Sequence, residues 1–286
     1  MPLASHAMLH TPVLTDFSPD NLAATTAQAP WLQVAWPGNP RVRAVFTSCA
    51  GGVSVAAYGC AQSTLGGGMN LGNHVGDDPV AVSKNRRLLS DALGGAQPRY
   101  LQQVHGIAVA DLDQFHDDDP EPVADAACTT RRGVAATVLV ADCLPVLFAA
   151  PGGRAVAAAH AGWRGLAGGV LEASLQAVCD RAGCPAAEVQ AVLGPAIGPG
   201  AFEVGDEVRA AFVSLHPQTA VAFLPGQPGK WWADLWQLAR IRLQAAGLSA
   251  EHIAGGGLCT FGLAQRFYSY RRQPLTGRQA GCIWVE

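Results

Sequence analysis

Strand-like and helix-like patterns alternate along this chain, and they predict a mixed α/β domain. Three observations carry that expectation. Continuous apolar runs of strand length recur, of which 134–140 (VAATVLV) is the clearest. Between them lie segments of helical period with matching start and stop residues. No GxGxxG opens a helix after a strand, so the dinucleotide-binding version of the class is not expected. The 286 residues are 49% apolar and only 14% charged, enough material for one large core. A prior of about 150 residues per domain would allow two domains, but single α/β domains often reach this length.

The elements follow in order. Residues 1–30 are rich in Ala, Thr, Pro and Asp without a sustained period, and read as a flexible N-terminal arm. The globular part begins near Trp31, giving a domain over 31–286. Residues 42–47 alternate as a strand. The glycine-dense stretch 49–76 reads as loop, where function concentrates. In 76–95 Asp78 can cap a helix, Pro79 suits its first turn and Gly94 stops it. Val82, Leu89 and Leu93 then share a face, with Arg86 beside it. Residues 100–104 and 107–112 are expected strands around QVHG, and 115–125 (FHDDDPEPVAD) reads as a solvated acidic loop. After 134–140 come two short apolar runs, 145–150 and 154–159, on either side of a Pro-Gly-Gly turn. A helix over 166–182 would turn Val170, Leu171, Leu175 and Val178 inward and stop at Gly183. Residues 189–193 form a strand, Asp234 caps a helix running to about Ala246, and QAGCIWVE is a last strand.

Composition narrows the function. A net charge of −3 and the absence of any basic run argue against nucleic acid or an anionic membrane as partner. No apolar stretch reaches 18 residues, so no membrane-spanning helix is expected, and the first residues show no secretory signal pattern. Eight cysteines occur without a CxxC, and a chain with this much core does not need disulfides, so a reducing, cytoplasmic setting is expected.

The chemistry centres on 141–165 (ADCLPVLFAAPGGRAVAAAHAGWRG). If the two runs form a hairpin across Gly152–Gly153, positions whose numbers sum to about 305 face each other. Cys143 and His160 sum to 303, which puts them at one open end, within roughly 7 Å of register at about 3.3 Å per residue. A thiolate and an imidazole there make either half a zinc site or a Cys–His catalytic pair. Zinc needs a third ligand, and His105 in QVHG is the best candidate, with His74 second. Asp142, next to Cys143, is a candidate acid/base or supporting hydrogen-bond partner. Arg86, Arg164, Arg271 and Arg272 are candidate anion clamps, because a guanidinium matches phosphate bidentately. GPAIGPG would offer either backbone N–H groups to an anion or a plain turn.

The strings GGVS, NLGNHVGDDPVAVSKNRR, QVHG, ADCLPVLF, AAAHAGWRG, LGPAIGP with FEVG, and CTFGLAQRFYSYRR with TGR follow one another in this order. In this the chain resembles the YfiH family, also described as laccase-domain or polyphenol oxidase proteins and regarded as purine nucleoside phosphorylases. The resemblance covers roughly residues 42–286. It implies a single α+β domain of layered mixed β-sheets flanked by helices, in the order α/β/β/α. It also implies a zinc ion on His105, Cys143 and His160, phosphorolysis of adenosine, inosine, guanosine and methylthioadenosine, and adenosine deamination. The chain departs from the family pattern at three places. Cys49 stands where the family usually has Arg, the link 59–69 is longer, and Gly200-Ala201 follows GPAIGP in place of a Cys-rich pair. All three fall on the substrate side and leave the metal residues untouched.

Three other readings compete. A copper-dependent polyphenol oxidase would need many histidines in HxH pairs. The chain has eight histidines and no HxH, so copper fits at most as a secondary or adventitious metal. A cysteine hydrolase would use Cys143 as nucleophile, His160 as base and Asp142 as orienter, without metal. A nucleoside-binding module would hold ligand without turnover. The expected partners are a purine nucleoside and phosphate, on a monomer or homodimer.

Overall fold

Residue alternation along the buried strands builds this molecule in layers. The computed structural model describes residues 31–60, 67–116 and 118–286, so the N-terminal arm lies outside the described residues. The chain begins with strands β1 (Leu32–Gln33), β2 (Val42–Phe46), β3 (Ala50–Gly52) and β4 (Gly67–Gly68), then helix α1 (Pro79–Ala92). Strands β5 (Gln97–Arg99), β6 (Val109–Asp111), β7 (Ala126–Thr129), β8 (Val134–Val140), β9 (Leu144–Ala149) and β10 (Val156–Ala161) follow. Helices α2 (Trp163–Gly168) and α3 (Val170–Ala182) lead to β11 (Gln190–Leu193) and β12 (Glu203–Gly205). Helix α4 (Asp206–Val213), β13 (Phe223–Pro225), β14 (Lys230–Ala233), helix α5 (Leu235–Ala245), β15 (Ile253–Gly255) and β16 (Gln279–Val285) complete the chain.

Two sheets form the centre. One has the order β1-β2-β16-β8-β5, the other β15-β11-β9-β10-β7-β6. Successive side chains of a strand point to opposite faces. On β8, Val134, Ala136 and Val138 enter the layer between the sheets, whereas Ala135 and Leu139 face Leu89 of α1 and Leu93 just after it. On β9, Leu147 and Ala149 enter the same inter-sheet layer, while Leu144, Val146 and Phe148 face α3, α4 and α5. The result is α/β/β/α, the layering the sequence implied. It explains why these strands read as continuous apolar runs: both faces are buried. Asp78 caps α1 by accepting from the Val80 amide, and Asp234 caps α5 by accepting from the Gln237 amide.

The central hairpin holds the expected register. Val156 pairs with Ala149 and His160 with Pro145, each pair summing to 305. The strands shift by one or two residues relative to the sequence reading because Pro151–Gly153 winds into a 3-10 turn.

Four expectations are corrected. The single helix over 166–182 breaks at Gly169, whose φ of 107° cannot continue an α-helix. Residues 100–104 are not a strand beyond one bridge of Gln102 to Val123, because the Asp125 carboxylate draws the amides of Val104, His105 and Gly106 into a loop. The acidic loop is accordingly not simply solvated: Asp125 is fully buried and Glu121 pairs with Arg86. Cys49 and Cys60 are joined as a disulfide, with Cα atoms 5.4 Å apart, and Gly67–Gly68 pairs with Ala50–Gly52, so the described part of the glycine-rich stretch is not simply loop.

Candidate metal centre

The open end of the β9–β10 hairpin presents the chemistry. Cys143 immediately precedes β9 and His160 is the penultimate residue of β10. His105 arrives from the loop before β6 with φ 60°, a left-handed conformation that a non-glycine residue adopts at a cost of order 1–3 kcal/mol. The surroundings enforce that conformation through Asp125, whose Oδ1 accepts from the His105 amide at 2.8 Å and whose Oδ2 accepts from the Gly106 amide at 2.6 Å. One ligand atom from each of His105, Cys143 and His160 lies within 4.8 Å of the others. The His105 and His160 rings meet edge to face with centroids 4.8 Å apart, and Cys143 Sγ is 3.9 Å from His105 Nε2.

Gly162 makes room for this approach. A Cβ there would stand 2.8 Å from His105 Cδ2 and 3.1 Å from Cys143 Sγ. Buried His160 shares a proton through Nδ1 with Asp125 Oδ1 at 2.8 Å, which directs Nε2 to the cluster. Burial opposes ionisation of the Cys143 thiol, but the His160 charge and hydrogen bonds from both histidines outweigh it and lower the pKa to about 6. Burial likewise disfavours the His160 cation, yet the charge on Cys143 and the Asp125 hydrogen bond raise it to about 9. Burial would raise Asp125, but the His160 hydrogen bond and the Gly106 and Val104 amides hold it below the ordinary carboxylate range. A thiolate ready for metal and a carboxylate-oriented imidazole are the arrangement a zinc-ligating set uses.

The cluster opens into a cavity of about 400 Å³, lined among others by His74, Gln103, Phe202, Tyr270, Arg271 and Arg278. The other sequence candidates fall at different distances from it. His74 reaches the cavity wall but not the three-residue cluster. Asp142 lines the cavity with φ 89°, but its carboxylate is taken up by Thr260 Oγ1 at 2.6 Å, Ser269 Oγ at 3.0 Å and the Arg271 amide at 2.7 Å. It thus pins the 259–272 segment over the cavity. Arg271 spends Nη1 and Nη2 on the Ala201 and Glu203 carbonyls, and Arg272 serves the carbonyls of Thr260, Phe261 and Phe267.

Three of the four arginine candidates, Arg272, Arg86 and Arg164, do not line the cavity. Arg86 pairs with Glu121, donates to the Leu71 carbonyl and stacks 3.8 Å over the Tyr100 ring. Arg164 is exposed on α2 and stacks over Trp163. In GPAIGPG the amides of Ala196, Ile197 and Gly198 are committed to Leu258 O, Asp142 O and Cys259 Sγ, so the segment is a turn that packs, not an anion nest. Sequence reasoning missed Asp125, hidden at the end of an acidic run, and Arg278, whose signal was the TGR string.

Fold and site together define an α/β/β/α domain with a two-histidine, one-cysteine cluster at the floor of a cavity. Residues 43–286 match the family model described as multi-copper polyphenol oxidoreductase laccase. The chain is 50% identical to a purine nucleoside phosphorylase of Pseudomonas aeruginosa over 259 residues, 90% of this chain and 98% of that one. It is 43% identical to the purine nucleoside phosphorylase YfiH of Escherichia coli, covering 87% of this chain and 96% of that one. Among solved structures, a Neisseria meningitidis protein of the DUF152 family superposes with a TM-score of 0.80 at 42% identity, covering 90% of this chain and 99% of that one. The chain belongs to this laccase-like YfiH family. The names its relatives carry support its being an enzyme. No helix among the described residues is long and apolar enough to cross a membrane.

Proposed function

We propose that this protein is a zinc-dependent purine nucleoside phosphorylase, acting on adenosine, inosine, guanosine and methylthioadenosine, with adenosine deaminase activity besides. The observation that carries the reading is the His105–Cys143–His160 cluster on the floor of a cavity walled by aromatic and cationic side chains. Two imidazoles and a thiolate suit zinc, and the close approach of His105 and Cys143 that Gly162 permits, together with the Asp125–His160 hydrogen bond, fits a ligand set held ready for a metal. When bound, zinc supplies a Lewis-acid centre with a position open to substrate or water.

The chain's own residues do the rest. Phe202 and Tyr270 offer flat apolar walls to a purine, and Gln103 and His74 bring polar groups to the same space. Asp142 fixes Tyr270 and Arg271 in place through the Arg271 amide. In phosphorolysis a phosphate oxygen forms the bond to the ribose anomeric carbon as the bond to the base nitrogen breaks. The base leaves with a proton and the sugar leaves as ribose 1-phosphate. We place the reaction in the cytoplasm, on a monomer or homodimer.

Chromatography of adenosine and inosine reactions tests the proposal. Release of adenine or hypoxanthine with equimolar ribose 1-phosphate, dependent on added phosphate, is the expected result. Release that ignores phosphate, or no release from zinc-loaded protein, would overturn it. One observation favours a second reading: Cys143, His160 and Asp125 form a nucleophile–base–orienter series, with Asp125 and not Asp142 as the orienter. That reading requires turnover by metal-free protein that iodoacetamide abolishes.

A further inference from the structure

The cavity has one guanidinium with an open edge. Of the two arginines that line it, Arg271 gives both terminal nitrogens to backbone carbonyls, whereas Arg278 commits only Nη1, to the carbonyls of Thr276 and Gly277 at 3.1 and 3.0 Å. Among the described residues its Nε and Nη2 hold no hydrogen-bond partner and no carboxylate pairs with it. The Nε–H and Nη2–H bonds of a guanidinium lie side by side along one edge, and that edge matches two oxygens of a tetrahedral oxyanion.

The local chain is built to hold this side chain. Asn70 Oδ1 accepts from the Arg278 amide at 2.9 Å, fixing the backbone at the start of β16. The aliphatic stem crosses Gly72, where a Cβ would stand 2.9 Å from Arg278 Cγ. Any side chain at 72 would push the guanidinium aside. Arg278 lines the same cavity as Cys143 and Asp142, whose charges it feels. Neither Nε nor Nη2 is among the buried polar atoms without a partner, so both stay within reach of a ligand that enters the cavity.

We infer that Arg278 is the phosphate-binding residue of the cavity, gripping inorganic phosphate through its Nε/Nη2 edge, with Thr276 and Gly277 holding the opposite side of the guanidinium. This rests on the phosphorylase reading for the role of phosphate in turnover, but binding itself is measured without turnover.

Titration calorimetry of the zinc-loaded protein with inorganic phosphate, and of Arg278→Met and Arg164→Met, reads the site directly. Wild type and Arg164→Met should bind phosphate equally, and Arg278→Met should bind at least about tenfold more weakly, the scale of a lost bidentate charged contact. Absence of binding in wild type, unchanged binding in Arg278→Met, or an equal loss in Arg164→Met would each overturn the assignment. Should Arg278→Met fail to fold, wild type suffices: phosphate should protect Arg278 from modification by phenylglyoxal, as read by peptide mass analysis, and lack of protection refutes the idea. Phosphate binding that depends on Arg278 without any phosphate-dependent nucleoside cleavage would leave this inference standing and remove the phosphorylase reading.

Discussion

Asp125 does more at the site than any side chain that points into it. One carboxylate accepts from three successive amides, which shapes the His105 loop, and also holds His160 Nδ1. Replacing Asp125 with Asn weakens the orientation of His160 and removes the negative charge that keeps its Nδ1 protonated. Loss of such an outer partner typically lowers metal affinity about 10- to 100-fold. Competition with a chromophoric chelator should therefore show weaker zinc binding in Asp125→Asn, and an unchanged affinity would mean that Asp125 only shapes the loop. Nothing local in the sequence distinguished this residue. It ends a run of carboxylates, and a run of charge reads as solvated surface until the fold shows which member turns inward. Cys143 and His160, in contrast, were readable because a hairpin register follows from local turn chemistry.

At the scale of elements, the boundaries set by helix caps agreed with the sequence, and those set by distant contacts did not. The α1 and α5 caps and the β8 limits follow from nearest neighbours. The break between α2 and α3 does not: Gly169 sits where a glycine in mid-helix would be tolerated, and its positive φ lets α3 lie along β10 while α2 turns aside. Gly169→Ala would force a Cβ into that left-handed position, at a cost of about 1–2 kcal/mol. Thermal unfolding should show a lowered melting temperature, and an unaltered one would indicate that the two helices can fuse. The turn between β6 and β7 carries a pH-sensitive element. Asp113 accepts from Thr129 Oγ1, Thr130 Oγ1 and the Thr130 amide. Burial works against its ionisation, yet these bonds hold its folded pKa below the ordinary value. A depressed carboxylate stabilises the fold above its unfolded pKa of about 3.9, and that contribution fades as pH falls toward the folded value. The melting-temperature gap between wild type and Asp113→Asn should thus hold down to about pH 5 and narrow below it, as pH falls through about 3.9 toward the lower folded value. A gap that stays constant would assign the stabilisation to shape instead of charge.

The whole molecule makes the candidate metal centre a junction. Its three side chains come from the loop before β6, the start of β9 and the end of β10, so three separate stretches converge at one end of the sheet. The pairing of the two sheets, which no short segment encodes, brings the 259–278 stretch over that edge, and Asp142 locks it down through Thr260, Ser269 and the Arg271 amide. A ligand that binds only the folded chain stabilises it by mass action, by about 2.7 kcal/mol at a free concentration one hundred times its dissociation constant. For a chain of this size such a gain shifts melting by several degrees. Zinc should consequently raise the melting temperature of chelator-treated protein, and Cys143→Ser should neither retain zinc nor respond to it. The comparison separates two roles for Cys143. If the variant melts like apo wild type and only the zinc response is gone, the thiolate serves the metal. A variant that keeps full zinc and the full shift would show that the metal is held elsewhere, and would leave Cys143 as the nucleophile of the hydrolase reading.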